Sequence, residues 1–180
     1  MTRGNGAWRK LAAISTLLAA THVWAAPDAP AVYLGLDVGV STYQSNNESD
    51  GGMVVGYVLG YRVNQYVSVE LGSHNLWGLE TIVKGFFVKD NFYYPRSHEG
   101  LAAIVRTSLA DKMSVYGRLG LGRTNYERTK IDAAEKSETD IPVGLGLAYD
   151  FNDHWAIRFE WTRYTKASVN TGVLGFSYAF

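Results

Sequence analysis

The stretch from residue 53 to residue 72, MVVGYVLGYRVNQYVSVELG, alternates apolar residues with small or polar residues along most of its length. Successive side chains of a β-strand point to opposite faces, so this period of two predicts strands. The alternation breaks at Asn64-Gln65, which predicts a tight turn. One face of the resulting hairpin is apolar, and the other carries glycines together with Arg62 and Glu70. The stretch therefore predicts an antiparallel hairpin with two very different faces.

The same alternation recurs along the rest of the chain and predicts eight strands. Their connections are alternately short and long, with long loops at 76–99 and 125–139 and a shorter one near 165–170. This rhythm is typical of bacterial outer-membrane barrels, in which tight periplasmic turns alternate with longer external loops. We therefore expect an all-β fold, an eight-stranded antiparallel up-and-down transmembrane β-barrel. The predicted strands cover roughly residues 32–43, 53–63, 67–74, 100–110, 113–124, 140–150, 155–162 and 173–180.

The size of an eight-stranded barrel decides which face points inward. A soluble barrel or sandwich, the alternative, would bury the apolar face. Eight strands leave an interior just wide enough for side chains to fill, and the large apolar set cannot all fit there. We expect the apolar face to meet lipid and the charged face to line the lumen, where its charges must pair and where glycines make room for long Arg and Glu side chains. The charged face carries Asp37, Arg62, Glu70, Arg106, Arg118, Arg158 and Glu160.

Aromatic residues on the apolar face fall near the predicted strand ends. Tyr61, Tyr149 and Trp155 lie close to the short turns, and Trp161 lies toward the opposite rim. Tyr and Trp favour the membrane–water interface, where the ring is in an apolar environment and the polar tip is hydrated. We predict that these four residues mark the two membrane interfaces.

The first 25 residues have the three-part pattern of a cleavable signal peptide. Arg3, Arg9 and Lys10 precede an apolar core over 11–20, and small residues follow at a cleavage site after Ala25. A transmembrane anchor is the alternative, but the apolar core is shorter than the ~20 residues that a spanning helix needs. We expect residues 1–25 to be the signal peptide and residues 26–180 to form one barrel domain.

Composition excludes several classes of function. The chain has no cysteine, which excludes disulfides, thiolate metal sites and a cysteine nucleophile. It contains 17 basic and 17 acidic residues without a basic patch, so we expect no nucleic-acid partner. We also expect no metal and no cofactor. Four candidate ligands lie on predicted loops without metal-ligand spacing, where we expect them to be solvated: His98, Glu99, Asp132 and Glu135.

Ser73-His74 is the one pair that could suggest a hydrolase. A histidine base needs a nucleophile within reach, and adjacent strand residues point to opposite faces, so Ser73 cannot serve His74. We therefore expect no enzymatic activity, with His74 as a polar residue of the lumen or its rim.

Several stretches resemble the OmpA-type transmembrane domain: 60–72, 116–120, 158–161 and 175–180. The resemblance extends over essentially the whole predicted mature chain and implies an ionic network inside the barrel. The last stretch is similar to the signal that the barrel-assembly machinery reads, with Phe176, Tyr178 and Phe180 as the residues concerned. Members of this family often continue into a periplasmic peptidoglycan-binding domain. The sequence stops at Phe180, so a peptidoglycan-anchoring role is not implied.

The expected function is that of a non-enzymatic barrel in the outer membrane of a Gram-negative-type bacterium, with both termini periplasmic. It would have a structural or surface-interaction role. Outer-membrane lipids and lipopolysaccharide are the expected partners, with a surface ligand for the aromatic and cationic loop 76–99. Alternatively, part of that loop extends the neighbouring strands. A narrow ion-pair-gated pore is the second hypothesis, and a lipid A-modifying enzyme is the third.

Overall fold

The computed structural model describes residues 30–45, 48–76, 93–128 and 136–180. The predicted signal peptide, residues 1–25, lies outside the described residues, as do Asp132, Glu135 and most of the loop 76–99. Within the described ranges there is no helix with the length and apolar character of a membrane span.

The described residues form nine antiparallel strands that close into one barrel. The pairing order is β4-β3-β2-β1-β9-β8-β7-β5, and β4 also pairs with β5. β6 and β7 both pair with β5, one after the other, so they share one position and the barrel has eight. The eight-stranded barrel predicted from the sequence is confirmed. The strands are β1 (Ala31–Ser45), β2 (Glu48–Arg62), β3 (Val67–Asn75), β4 (Tyr93–Ala110), β5 (Met113–Arg128), β6 (Lys136–Asp140), β7 (Pro142–Asp150), β8 (Trp155–Tyr164) and β9 (Val169–Ala179).

Asparagine side chains build two of the short turns. The Asn64 side chain accepts hydrogen bonds from the backbone N–H groups of Tyr66 and Val67, at 2.8 and 2.9 Å. Asn152 accepts two bonds of 2.9 Å in the same way, from His154 and Trp155. A side chain that binds the backbone two or three residues ahead replaces the ladder bonds that the turn interrupts. These turns lie where the sequence predicted them.

The strands extend further at the long-loop end than the sequence predicted. β4 begins at Tyr93 rather than near residue 100, and β5 continues to Arg128. Part of the predicted loop 76–99 thus extends the fourth strand. The prediction that His98 is solvated on a loop was wrong: His98 lies on β4 and is 4% exposed, with Nδ1 3.0 Å from the Thr124 hydroxyl. The alternation of apolar residues did not reveal this part of β4, because a strand that extends beyond the lipid needs no apolar face.

The two faces of the barrel wall invert the pattern of a soluble protein. Outward side chains are apolar and exposed, for example Leu36 at 69%, whereas inward Glu70 is 1% exposed. Charged residues are almost never fully buried unless they are paired, and large apolar patches rarely face water. Hydrocarbon is the solvent that suits this outer face, and the lumen is the core. The predicted assignment of the two faces is confirmed.

Candidate functional site: the barrel lumen

An ionic layer crosses the middle of the lumen, and Glu70 is its central residue. The hydroxyl of Tyr33 donates a 2.8 Å hydrogen bond to Glu70 Oε1, to which Arg158 Nη1 also donates at 2.6 Å. Arg118 Nη1 donates to Oε2 at 2.7 Å. Residues from β1, β3, β5 and β8 thus meet at one carboxylate, because each lies at an inward position of its strand.

Two further carboxylates complete the ionic layer. Asp37 Oδ2 lies 2.9 Å from both Arg158 Nη2 and His74 Nε2. Glu160 Oε2 accepts from Tyr116 at 2.9 Å and from Arg118 at 3.2 Å. Buried charges are stable only when they are paired and hydrogen-bonded, and all three carboxylates meet that requirement. The layer therefore acts as a cross-brace between opposite walls.

The predicted charged residues divide into two groups. Asp37, Glu70, Arg118, Arg158 and Glu160 lie together in the ionic layer. Arg62 and Arg106 do not, and both lie nearer the short-turn end.

Arg106 pairs with Asp150 at 3.0 Å, a partner that the sequence analysis did not name. Tyr33, Tyr116 and Thr162 also occupy inward positions in the alternation along their strands. Their hydroxyls donate hydrogen bonds to the carboxylates of Glu70 and Glu160. The alternation along one strand does not reveal the hydrogen bonds of the two tyrosines, because their partners lie on distant strands.

The glycines of the lumen make room mainly for the aromatic rings of neighbouring residues. A Cβ atom at Gly60 would lie 2.0 Å from the ring of Tyr33, and one at Gly146 would lie 2.3 Å from the ring of Tyr116. The expectation that the predicted glycines make room for Arg and Glu was therefore wrong at these positions. Gly175 does make room for charged side chains, since a Cβ atom there would meet both Asp37 and Arg158. The absent side chains let the two tyrosine rings lie flat against the wall and aim their hydroxyls at the carboxylates.

An apolar cluster fills the lumen at the long-loop end. Leu76, Tyr164, Ala167 and Val169 are buried together, and Tyr43 and Tyr126 pack against them. His98 contacts the Tyr164 ring edge-on, with 4.9 Å between the ring centres. The apolar cluster therefore forms a second layer beyond the ionic layer.

Asp140 fastens the β8–β9 turn to the wall. Its carboxylate accepts bonds from the backbone N–H groups of Lys166 and Ala167, at 2.8 and 2.9 Å, and from the Thr165 hydroxyl at 3.1 Å. Burial acts to raise the pKa of Asp140, but the backbone hydrogen bonds outweigh burial and hold the pKa below its ordinary value. The carboxylate is therefore charged at neutral pH, and it fixes the turn that covers the apolar cluster.

Replacing this carboxylate should loosen the turn without opening the barrel. Asp140→Ala leaves the N–H groups of Lys166 and Ala167 without their acceptor, which we expect to cost about 1–3 kcal/mol. Hydrogen exchange of these two amides should become at least tenfold faster, while the amide of Glu160 stays protected. Ser137→Ala, on the exposed part of the same strand, is the control. Unchanged exchange at Lys166 and Ala167 would show that Asp140 does not hold the turn.

A vestibule of about 440 Å³ occupies the lumen at the short-turn end. Its walls reach from the turn residues to Glu70 and Arg158, so the ionic layer is its floor. The lumen thus has three levels: the open vestibule, the ionic layer and the apolar cluster. The described residues contain no group of three or more His, Asp or Glu side chains that could hold a metal ion.

The predicted interface aromatics all lie on the outer surface. Tyr61, Tyr149, Trp155 and Trp161 are between 40% and 48% exposed. The Trp155 ring stacks on Phe176, with 4.9 Å between the ring centres, and also contacts Tyr178 at 4.6 Å. The ring of Phe180 contacts Tyr178 in turn. The three residues of the predicted assembly signal therefore belong to one aromatic patch at the short-turn end.

Comparisons with known proteins agree with this architecture. Residues 11–180 match the outer membrane protein beta-barrel domain family. A comparison with curated proteins gives no match. The N-terminal β-barrel domain of Pseudomonas aeruginosa OprF is 16% identical, with a TM-score of 0.61 over 83% of this chain and 97% of that chain.

Two other solved barrels are similar at comparable identity. Neisserial surface protein A is 16% identical, with a TM-score of 0.55 over 84% of this chain and 98% of that chain. Ail of Yersinia pestis is 18% identical, with a TM-score of 0.51 over 84% of this chain and 97% of that chain. At these identities the likeness shows the fold alone. The family match over almost the whole chain, together with the closed barrel and its apolar outer face, shows that the chain belongs to the outer membrane protein β-barrel domain family and is an integral protein of the Gram-negative outer membrane.

Proposed function

We propose that this protein is a non-enzymatic outer-membrane barrel that acts at the cell surface through its long-loop end. The observation that carries the proposal is the filled lumen, in which the ionic layer and the apolar cluster lie one above the other. A lumen occupied in this way braces the barrel and leaves recognition to the parts outside the membrane. Loops on a rigid scaffold are the usual carriers of such functions.

The strands themselves carry a polar surface beyond the lipid. Leu101 and Leu121 are paired outward residues at the edge of the apolar face, and the next outward pair is Glu99 with Arg123. From Leu101, β4 runs on for eight residues, which is about 26 Å along the strand. Further out lies an exposed ion pair of 3.1 Å between Arg96 and Glu127. This extension supports the loops well above the bilayer.

The proposed orientation puts the long-loop end outside the cell and both termini in the periplasm. Short turns on the periplasmic side and longer external connections are the rule for bacterial barrels. The charges on the strand extension would then lie among the sugars and phosphates of lipopolysaccharide, which is a proposed partner together with the outer-membrane lipids. On the opposite side, Phe176, Tyr178 and Phe180 would engage the barrel-assembly machinery during insertion.

The loop 76–99 is the proposed contact with other cells. Its sequence combines Trp77, Phe86, Phe87 and Phe92 with Lys84 and Lys89. Aromatic side chains beside cations suit sugar and phosphate surfaces, through stacking and cation–π contacts.

Shortening this loop tests the proposal directly. Bacteria that produce the wild-type protein are compared with bacteria in which a Gly-Ser-Gly-Ser linker replaces residues 77–92. In the matched control the same linker replaces residues 129–135. We expect adhesion to cultured epithelial cells and to other bacteria to fall several-fold for the first variant and to stay unchanged for the control. Equal adhesion of all three strains, with equal amounts of folded barrel at the surface, would contradict the proposal.

A narrow pore gated by the ionic layer is the second candidate function. The vestibule favours it, because a wide opening already reaches Glu70 and Arg158 from the short-turn end. Conduction would then require both the ionic layer and the apolar cluster to open. A lipid A-modifying activity has less support, because His74 is buried in the lumen and does not face the lipid.

A further inference from the structure

The vestibule contains an arginine, Arg62, that forms no salt bridge with any residue that the structure describes. Arg62 Nε is buried and has no hydrogen-bond partner within the described part of the chain. Arg106, in the same vestibule, is paired with Asp150. A guanidinium carries five donors and cannot release its proton in a protein. Burying one of these donors, Nε, without a partner costs free energy that a hydrogen-bond acceptor would recover.

A second unpartnered donor lines the same vestibule. Ser114 is 4% exposed, and its hydroxyl has no partner within the described residues. A buried hydroxyl without a partner is rare in a folded protein and calls for a ligand or a water. The vestibule is thus lined by Arg62 on β2 and by Ser114 on β5, and each has one buried polar atom without a hydrogen-bond partner.

The other charged groups of the vestibule are bound elsewhere or lie at its rim. Glu70 and Arg158 are committed to the ionic layer, and Lys112 donates to the backbone oxygen of Phe151. Asp111 and Asp153 are exposed on the turns at the rim, where water screens them. Of the arginines that line the vestibule, Arg62 is therefore the one without a salt bridge among the described residues, since Asp150, which also attracts it, is paired with Arg106.

We propose that the vestibule is a binding site for a small oxyanion, held by the guanidinium of Arg62 and the hydroxyl of Ser114. An oxyanion such as phosphate or a carboxylate accepts several hydrogen bonds, and arginine binds both in a bidentate way. A volume of about 440 Å³ admits such a group with part of its hydration. This site goes beyond the proposed surface function and does not depend on it.

Two sources could supply the oxyanion. One is a free anion from the compartment into which the short-turn end opens. The other is Asp28, a carboxylate three residues before β1. Ala31, the first residue of β1, is the cross-strand partner of Arg62, and Asp28 is three residues before it in the sequence.

Binding of inorganic phosphate to the refolded full chain in lipid nanodiscs tests the site. Phosphate is titrated at constant ionic strength, and the arginine Nε–H signals are followed by NMR. Arg62→Gln removes the charge, Ser114→Ala removes the hydroxyl, and Asp28→Asn removes the competing carboxylate. Arg123→Gln is the matched control, because Arg123 is exposed on the outer face at the other end of the barrel. Circular dichroism checks that each variant is folded.

We expect one saturable shift in the wild type, about tenfold or more weaker binding in Arg62→Gln, weaker binding in Ser114→Ala and no change in Arg123→Gln. Tight binding that appears only in Asp28→Asn would assign the site to the chain's own carboxylate and would still support an oxyanion site. The proposal is overturned if no variant binds phosphate saturably, or if Arg62→Gln binds as the wild type does. If Arg62→Gln fails to fold, unchanged affinity in Ser114→Ala overturns it.

Discussion

Replacing Glu70 with alanine should destabilise the barrel by about 3 kcal/mol. Glu70 is 1% exposed and binds Tyr33, Arg118 and Arg158. Removing one member of a buried ion pair typically costs ~3–5 kcal/mol, because the remaining charge stays buried without its partner. The lower end of that range is expected, since Arg118 keeps Glu160 and Arg158 keeps Asp37. Reversible urea unfolding in phospholipid vesicles, followed by tryptophan fluorescence, measures the loss.

An exposed ion pair supplies the control for this measurement. Glu127→Ala removes the partner of Arg96, and both side chains are more than 40% exposed. Exposed pairs contribute at most ~1 kcal/mol, so this variant should unfold almost as the wild type does. If the Glu70 and Glu127 variants lose equal stability, the ionic layer is not the brace of the barrel.

The same Glu70 variant separates the two candidate functions in a planar bilayer. If the lumen is only a brace, the apolar cluster still closes the long-loop end, and the variant should be as silent as the wild type. If the ionic layer is a gate, the wild type should show openings that the substitution changes. Steady currents in the variant would therefore favour the pore and would contradict the proposed role of the lumen.

An arginine in place of Leu145 should cost about 2–4 kcal/mol, the range measured for cations at the bilayer midplane. Leu145 is 63% exposed and lies on the outward face of β7, between Val143 and Leu147 and four residues before Tyr149 at the short-turn end. Its side chain meets hydrocarbon, where a guanidinium loses its hydration. The unfolding assay in vesicles again measures the change.

The same substitution at Leu109 tests whether the loss of stability depends on depth in the membrane. It is 59% exposed, close to the value for Leu145, but it lies next to the short turn between β4 and β5. Near the interface a cation costs only ~0–1 kcal/mol, because it reaches water or phosphate. Equal costs for Leu109→Arg and Leu145→Arg would mean that the outward face of the barrel does not cross a bilayer.

The sequence was sufficient for the wall of the barrel because the wall obeys a local rule. Alternation along a single strand places Asp37 and Leu36 on opposite faces, and no information from another strand is needed. The turns at Asn64 and Asn152 are local as well. The eight strand positions and the inward and outward faces were therefore predicted correctly.

Pairing inside the lumen depends on register between strands, which alternation does not encode. Arg106 binds Asp150, which is 44 residues away along the chain, rather than a member of the ionic layer. The tyrosine hydroxyls that bind Glu70 and Glu160 were missed for the same reason, since their partners lie on distant strands. Strand ends beyond the lipid were also missed, because polar residues there carry no apolar period.

The ionic layer has a consequence for the order of folding. Asp37 on β1 binds Arg158 on β8, 121 residues later, and β1 completes the barrel by pairing with β9. Contacts between such distant parts of a chain form slowly, since a long loop must close before they contribute stability. His74 on β3 is close to Asp37 along the chain, but Arg158, the arginine that pairs with this carboxylate, belongs to the strand before the last. We infer that charge neutralisation in the lumen and closure of the wall are late and simultaneous events, so that a chain that stops before β8 has neither.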